Sequence, residues 1–136
     1  MQNPLLAEYG TYHEDGRNRL LHDYGIPMIV FALEVFLRLL HVGLFDAALP
    51  AIIAVSIFYW RIAGTAAVGA IAMLVAMYGL ARFVNWQVAV ALFVVGWVLQ
   101  FAGHAFEGKR PAFLNNLTHL LIGPLWLTIT WAKRSA

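Results

Sequence analysis

Five histidines are the residues in this chain best suited to chemistry: His13, His22, His41, His104 and His119. Imidazole can ligate a metal, move a proton or serve as a plain hydrogen-bonding group. Cysteine is absent. Thiolate ligands, iron–sulfur clusters and disulfides are therefore excluded, and any metal must be held by imidazole, carboxylate or amide groups. His104 lies in QFAGHAFEGKRPA, residues 100–112, a polar stretch between two very apolar runs. Gln100 precedes it by four residues and Glu107 follows by three, so a continuing helix puts all three on one face. That face reads either as a ligand with partners that fix its tautomer, or as a wet helix end.

His13 and His22 are nine residues apart. On an unbroken helix that is about 900°, so the two would face opposite ways. They converge only if the chain turns between them, and Asp15-Gly16 is a turn signal. Asn18 and His22 share a helical face. The pair reads as ligands or as polar groups on an interfacial helix. His119 shares a face with Asn115 and Asn116 inside an apolar run. It reads as a ligand, a donor to a ligand, or glue between helices. His41 follows Glu34 and Arg38 at helical spacing, which predicts an internal ion pair.

The elements that must position these residues are apolar. The 136 residues are 62% hydrophobic and 12% charged, with a mean hydropathy of +0.73. A soluble domain carries roughly 25% charged residues. Between Ala47 and Gly103 the only charged residues are Arg61 and Arg82. The chain therefore reads as an all-α integral membrane helical bundle, one domain over 1–136. It has a polar N-terminal segment, 1–24, and a bundle over 27–131. The expected spans are Pro27–Phe45, Ala47–Trp60, Ile62–Leu80, Trp86–Gly103 and Phe113–Trp131. That makes about five, the second falling short of the ~20 residues a crossing needs.

Arg17–Tyr24 is expected as a short interfacial helix, stopped by Gly25 and Pro27. Trp60, Trp86, Trp126 and Trp131 lie towards run ends, as interfacial anchors would. The N-terminus lacks the pattern of a secretory signal. The scattered basic residues suit membrane orientation rather than nucleic-acid binding. With five crossings, Arg17, Arg19, Arg61, Lys109 and Arg110 fall inside and Arg82, Lys133 and Arg134 outside. The bias puts residues 13–22 and 100–112 on the cytoplasmic side. These two segments can share a site only if an even number of crossings separates them, and the four runs from Pro27 to Gly103 meet that condition.

The residues also resemble a known family. Tyr12-His13, then Asn18-x-x-x-His22-x-x-Gly25-x-Pro27, and much later Gly96-Trp97-x-x-Gln100-Phe101-x-Gly103-His104-x-Phe106-Glu107-x-x-Arg110-Pro111-Ala112, are similar to motifs of the family of the yeast endoplasmic-reticulum 2-hydroxy fatty acid dioxygenase. The resemblance covers essentially the whole chain. It implies an Fe(II)-dependent, membrane-embedded α-oxidation, in which a 2-hydroxy fatty acid and O2 give a fatty acid one carbon shorter and CO2. It makes His13, His22 and His104 the iron-binding candidates. His119, outside the motif, is a fourth candidate ligand, and Glu107 and Asn18 are candidate catalytic residues. Lys109, Arg110, Arg17 and Arg19 could attract the carboxylate head, or could serve topology and lipid contact alone. The implied partners are the hydroxy acid, O2 and membrane lipid, and an oligomer is compatible. The implied location is a bacterial inner membrane, or the endoplasmic reticulum in a eukaryote. The alternative is a non-catalytic haem- or metal-binding membrane protein using His41 and His119, or a scaffold without metal. Histidine-cluster desaturases are excluded, because neither HxxxH nor HxxHH occurs.

Overall fold

A computed structural model describes residues 3–111 and 118–135. Among the described residues the chain is mainly helical, with short turns and one hairpin of two residues per strand. In order come α1 (Pro4–Thr11), α2 (Gly16–Leu39), β1 (His41–Val42), β2 (Phe45–Asp46), α3 (Ala48–Ala63), α4 (Val68–Ala81), α5 (Trp86–Glu107) and α6 (His119–Ser135). The all-α expectation holds. Asn115 and Asn116, expected beside His119, lie outside the described residues.

Local chemistry sets the boundaries near the site. Asn3 caps α1 by accepting the Leu5 N–H, and Pro4 occupies the first helical position, where no donor is required. Asp15 caps α2 by accepting the Arg17 N–H. The chain therefore turns between His13 and Gly16, as the Asp-Gly pair predicts. Helix α2 does not stop at Gly25 and Pro27, however; it runs on to Leu39. Gly25 is there for packing. A Cβ on it would stand 3.0 Å from the Gly96 carbonyl of α5 and collide with the Gln100 amide. Gly103 likewise makes room for Asn18. Asn18 and Gly25 are seven residues apart, as are Gly96 and Gly103, so α2 and α5 meet antiparallel along one stripe of small residues. Ala32 and Ala89, both fully buried, extend the seam. Gly108, in the left-handed conformation at φ 73°, ends α5 directly after Glu107.

Among the described residues, three helical stretches are long and apolar enough to cross a membrane: Gly16–Leu39, Ala48–Ala81 and Trp86–Glu107. The second doubles back. Gly64 takes φ 57° between α3 and α4, and the far ends of the two helices meet, with Tyr78 Oη donating to Asp46 Oδ2 at 2.7 Å. Asp46 also caps α3 through the Ala48 and Leu49 N–H groups. Arg38 joins this cluster, donating to the Tyr78 carbonyl and lying 3.8 Å from Asp46. The expected Glu34–Arg38 pair is therefore absent. Glu34 is buried, and neither of its carboxylate oxygens has a hydrogen-bond partner. Asp46 wins Arg38 because its carboxylate is already fixed at a helix start, at the end of the bundle where a guanidinium stays wet.

Of the expected span Phe113–Trp131, residues 118–131 are described, and α6 starts with His119 3.3 Å from Glu8 of α1. Towards its end, Trp131 and Arg134 both donate to Asp23, the neighbour of His22. Both ends thus lie at one end of the bundle. Trp126, expected as an interfacial anchor, is buried against Tyr9 and His13, because α6 covers α1.

Candidate metal centre

The turn after α1, helix α2 and helix α5 bring His13, His22 and His104 to one point. One ring nitrogen from each lies within 4.8 Å of the others, and all three residues are buried. The ring centroids are 4.4, 5.0 and 4.9 Å apart. His13 Nδ1 donates to the Tyr9 carbonyl at 2.7 Å. His22 Nδ1 donates to the Asn18 carbonyl at 2.9 Å. A carbonyl can only accept, so both rings carry the proton on Nδ1 and turn a bare Nε2 outward. These two Nε2 atoms face each other at 3.0 Å. Two lone pairs at that distance repel unless a cation lies between them. Two nitrogens held about 2.1 Å from one ion at a right angle are themselves about 3.0 Å apart. His104 adds a third imidazole, whose buried Nδ1 has no hydrogen-bond partner. An all-imidazole set of three suits a divalent transition metal and leaves coordination positions open.

Electrostatics keep the ligands competent. Burial pushes His13 down to about 4, against the opposing pull of the Tyr9 carbonyl. Its Nε2 lone pair is free at neutral pH, as ligation requires. Tyr9 backs the ring, stacked on it at 4.1 Å and 11°. Burial raises the Tyr9 phenol well above its ordinary value, so it stays neutral.

Glu107 and Asn18 hold the frame. Glu107 accepts the backbone N–H of Glu14 through Oε1 and that of Asp15 through Oε2, each at 2.6 Å. It thereby ties the end of α5 to the α1–α2 turn. Asn18, fully buried, donates to the Tyr12 carbonyl at 3.0 Å. Lys109 donates to the Thr11 carbonyl and lies 3.7 Å from Glu14. Arg19 donates to the His13 carbonyl, and Arg17 bonds Asp15 and covers the Phe106 ring. The end of α5 is thus tied over the α1–α2 turn by Glu107, with Lys109 just after it bonded to Thr11.

A cavity of about 250 Å3 opens from the imidazoles. Gln100, with its Nε2 buried and unpartnered, lines the polar end, and so does His119. Ile26, Ile29 and Leu33 of α2 and Phe93 and Trp97 of α5 line the rest. His22 to Leu33 is eleven residues, about 16 Å of helix. Leu33 and Leu120, on the rim, are exposed.

His119, the fourth candidate ligand, is not among the three imidazoles that lie within 4.8 Å of one another, and the Tyr9 ring touches both it and His13. His41 is exposed on β1, beyond the opposite end of α2. Its nineteen residues from His22 are about 28 Å of helix, so His41 and His119 cannot clasp one haem. Tyr9 and Glu8 were not legible as site residues, although the four-residue spacing of Tyr9 and His13 was the available signal.

The profile of the family described as 2-hydroxy-palmitic acid dioxygenase Mpo1-like matches residues 3–135. The 2-hydroxy-palmitic acid dioxygenase MPO1 of Saccharomyces cerevisiae is 30% identical over 125 residues, which cover 86% of this chain and 71% of the yeast protein. No solved structure matches the chain.

Proposed function

The chain belongs to the Mpo1-like family, and from that premise we propose that it is a membrane-embedded, non-haem Fe(II) dioxygenase. It cleaves a 2-hydroxy fatty acid with O2 to the acid one carbon shorter. The observation that carries this reading is the pair of bare Nε2 atoms of His13 and His22, 3.0 Å apart, with His104 beside them. His13, His22 and His104 would hold the metal. Bound Fe(II) supplies the Lewis-acid and redox chemistry that brings O2 and the hydroxy acid together.

The overall change is R–CH(OH)–COO− + O2 → R–COO− + CO2 + H2O. The organic acid gives up four electrons and O2 accepts four, so no external reductant or 2-oxo acid enters. The protein's part is to bind, orient and exclude water. Gln100 offers its free amide donor to the carboxylate at the polar end of the cavity. The acyl tail lies along Ile26, Ile29 and Leu33 opposite Phe93 and Trp97. Burial of the imidazoles under the Glu107 tie keeps bulk water from the reacting head. Helices α2 to α5 cross the bilayer, the short α3 and α4 with local thinning, and α6 caps the site end, which faces the cytoplasm.

The test is anaerobic loading of the purified chain with Fe(II), followed by O2 and a 2-hydroxy acyl acid, scoring the shortened product. Both His22→Ala and His104→Ala should abolish turnover and metal retention. Stoichiometric metal without any product from the unsubstituted chain would leave a metal-binding protein and no enzyme.

A further inference from the structure

His119 is a buried histidine that the trio does not use. Its side chain is fully enclosed, and its Nε2 lies 3.3 Å from Oε2 of Glu8, whose own side chain is 48% exposed. Neither of its ring nitrogens has a hydrogen-bond partner among the described residues, so Glu8 is a close charged neighbour rather than a formed hydrogen bond, and the residue lines the same cavity as the three imidazoles. The groups around it are Glu8 and Tyr9 of α1, Tyr12 just after α1, and the trio across the cavity. Glu8 is the one carboxylate among them. A carboxylate beside one ring nitrogen orients an imidazole, leaving the other nitrogen to act on a bound molecule. Glu8 also links this buried ring to solvent.

We propose that His119, paired with Glu8, is the general base that takes the 2-hydroxyl proton of the substrate. The inference rests on the function proposed above. The hydroxyl O–H breaks with its electron pair left on oxygen, and the proton passes to the free nitrogen of His119. It is returned to the oxygen atom that leaves as water, so the balance of the reaction is unchanged. His119 thus serves beside the metal rather than on it.

The test uses the full chain in lipid nanodiscs, loaded with Fe(II). His119→Gln should keep its helicity and iron content while kcat falls about 100-fold or more, with KM moving far less. Glu8→Gln, at the surface, should keep the iron and lower kcat by less than His119→Gln does. Loss of iron in His119→Gln would mark a ligand and overturn the proposal, as would a full rate. An unchanged kcat in Glu8→Gln would overturn the pairing. No turnover in the unsubstituted chain would overturn both readings, whereas a full rate in His119→Gln overturns this one alone.

Discussion

The carboxylate of Glu107 holds the backbone N–H of Asp15 at 2.6 Å, across a gap of 92 residues in sequence. With the matching bond to Glu14, it fixes the α1–α2 turn that sets His13 against His22. Glu107→Ala should therefore weaken metal binding by about 10- to 100-fold without removing a ligand, as loss of a supporting partner does elsewhere. Glu107→Gln, which keeps one acceptor oxygen, should fall between the two. Metal affinity measured by competition with a chelator checks this.

Metal-free protein should lose stability on acidification. Burial lowers His13 from the ordinary 6.5 to about 4 in the folded chain. Between those values the unfolded chain binds the extra proton and the folded chain does not. Stability is thus full above about pH 6.5, falls as pH drops through the window, and levels off below about pH 4. The loss is on the order of 3 kcal/mol. Melting of the metal-free protein in detergent at several pH values should show it, and His13→Gln should flatten the dependence.

Gly25→Ala places a methyl against the Gly96 carbonyl and the Gln100 amide. Forcing α2 and α5 apart should cost about 1–3 kcal/mol. Gly16→Ala is the contrast, since nothing lies within 4 Å of a Cβ there, and its melting temperature should not fall. Comparing the two thermal melts separates close helix approach from a general intolerance of glycine replacement.

Glu34 makes no hydrogen bond through either oxygen and lies buried in α2. Replacing it with an apolar residue of similar size removes an unsatisfied polar group, which is neutral to favourable. Glu34→Leu should therefore hold or raise stability, by up to about 2 kcal/mol. A fall in melting temperature greater than that of Gly25→Ala would contradict it.

His41→Ala should retain full metal stoichiometry. The residue is exposed on β1, about 28 Å of helix from His22. Metal analysis of this variant beside His104→Ala distinguishes the trio from a general effect of histidine loss.

Much of the site could be read from residue types. The Asp15-Gly16 turn was legible, and the three histidines picked out by residue type do lie together; the even number of crossings expected between His22 and His104 was the condition for that. What could not be read depends on direction and on long-range competition. Hydropathy measures how apolar a run is, not which way it points, so α6 looked like another crossing when Asp23 holds its far end beside the site. Helical spacing proposed Glu34 for Arg38, but a carboxylate brought from Asp46 took the guanidinium. Gly25 read as a stop signal because glycine ends helices as readily as it lets two of them touch. Glu8 gave no signal, since its partner His119 lies more than a hundred residues away.

His13 lies just after α1, His22 on α2 and His104 on α5, so the third imidazole is made only when most of the chain has left the ribosome. On the function proposed above, an ion arriving earlier would find two nitrogens, and the full set would form only once α5 has docked on α2. Cells starved of the metal should then accumulate a threaded apoprotein that can be charged without new synthesis.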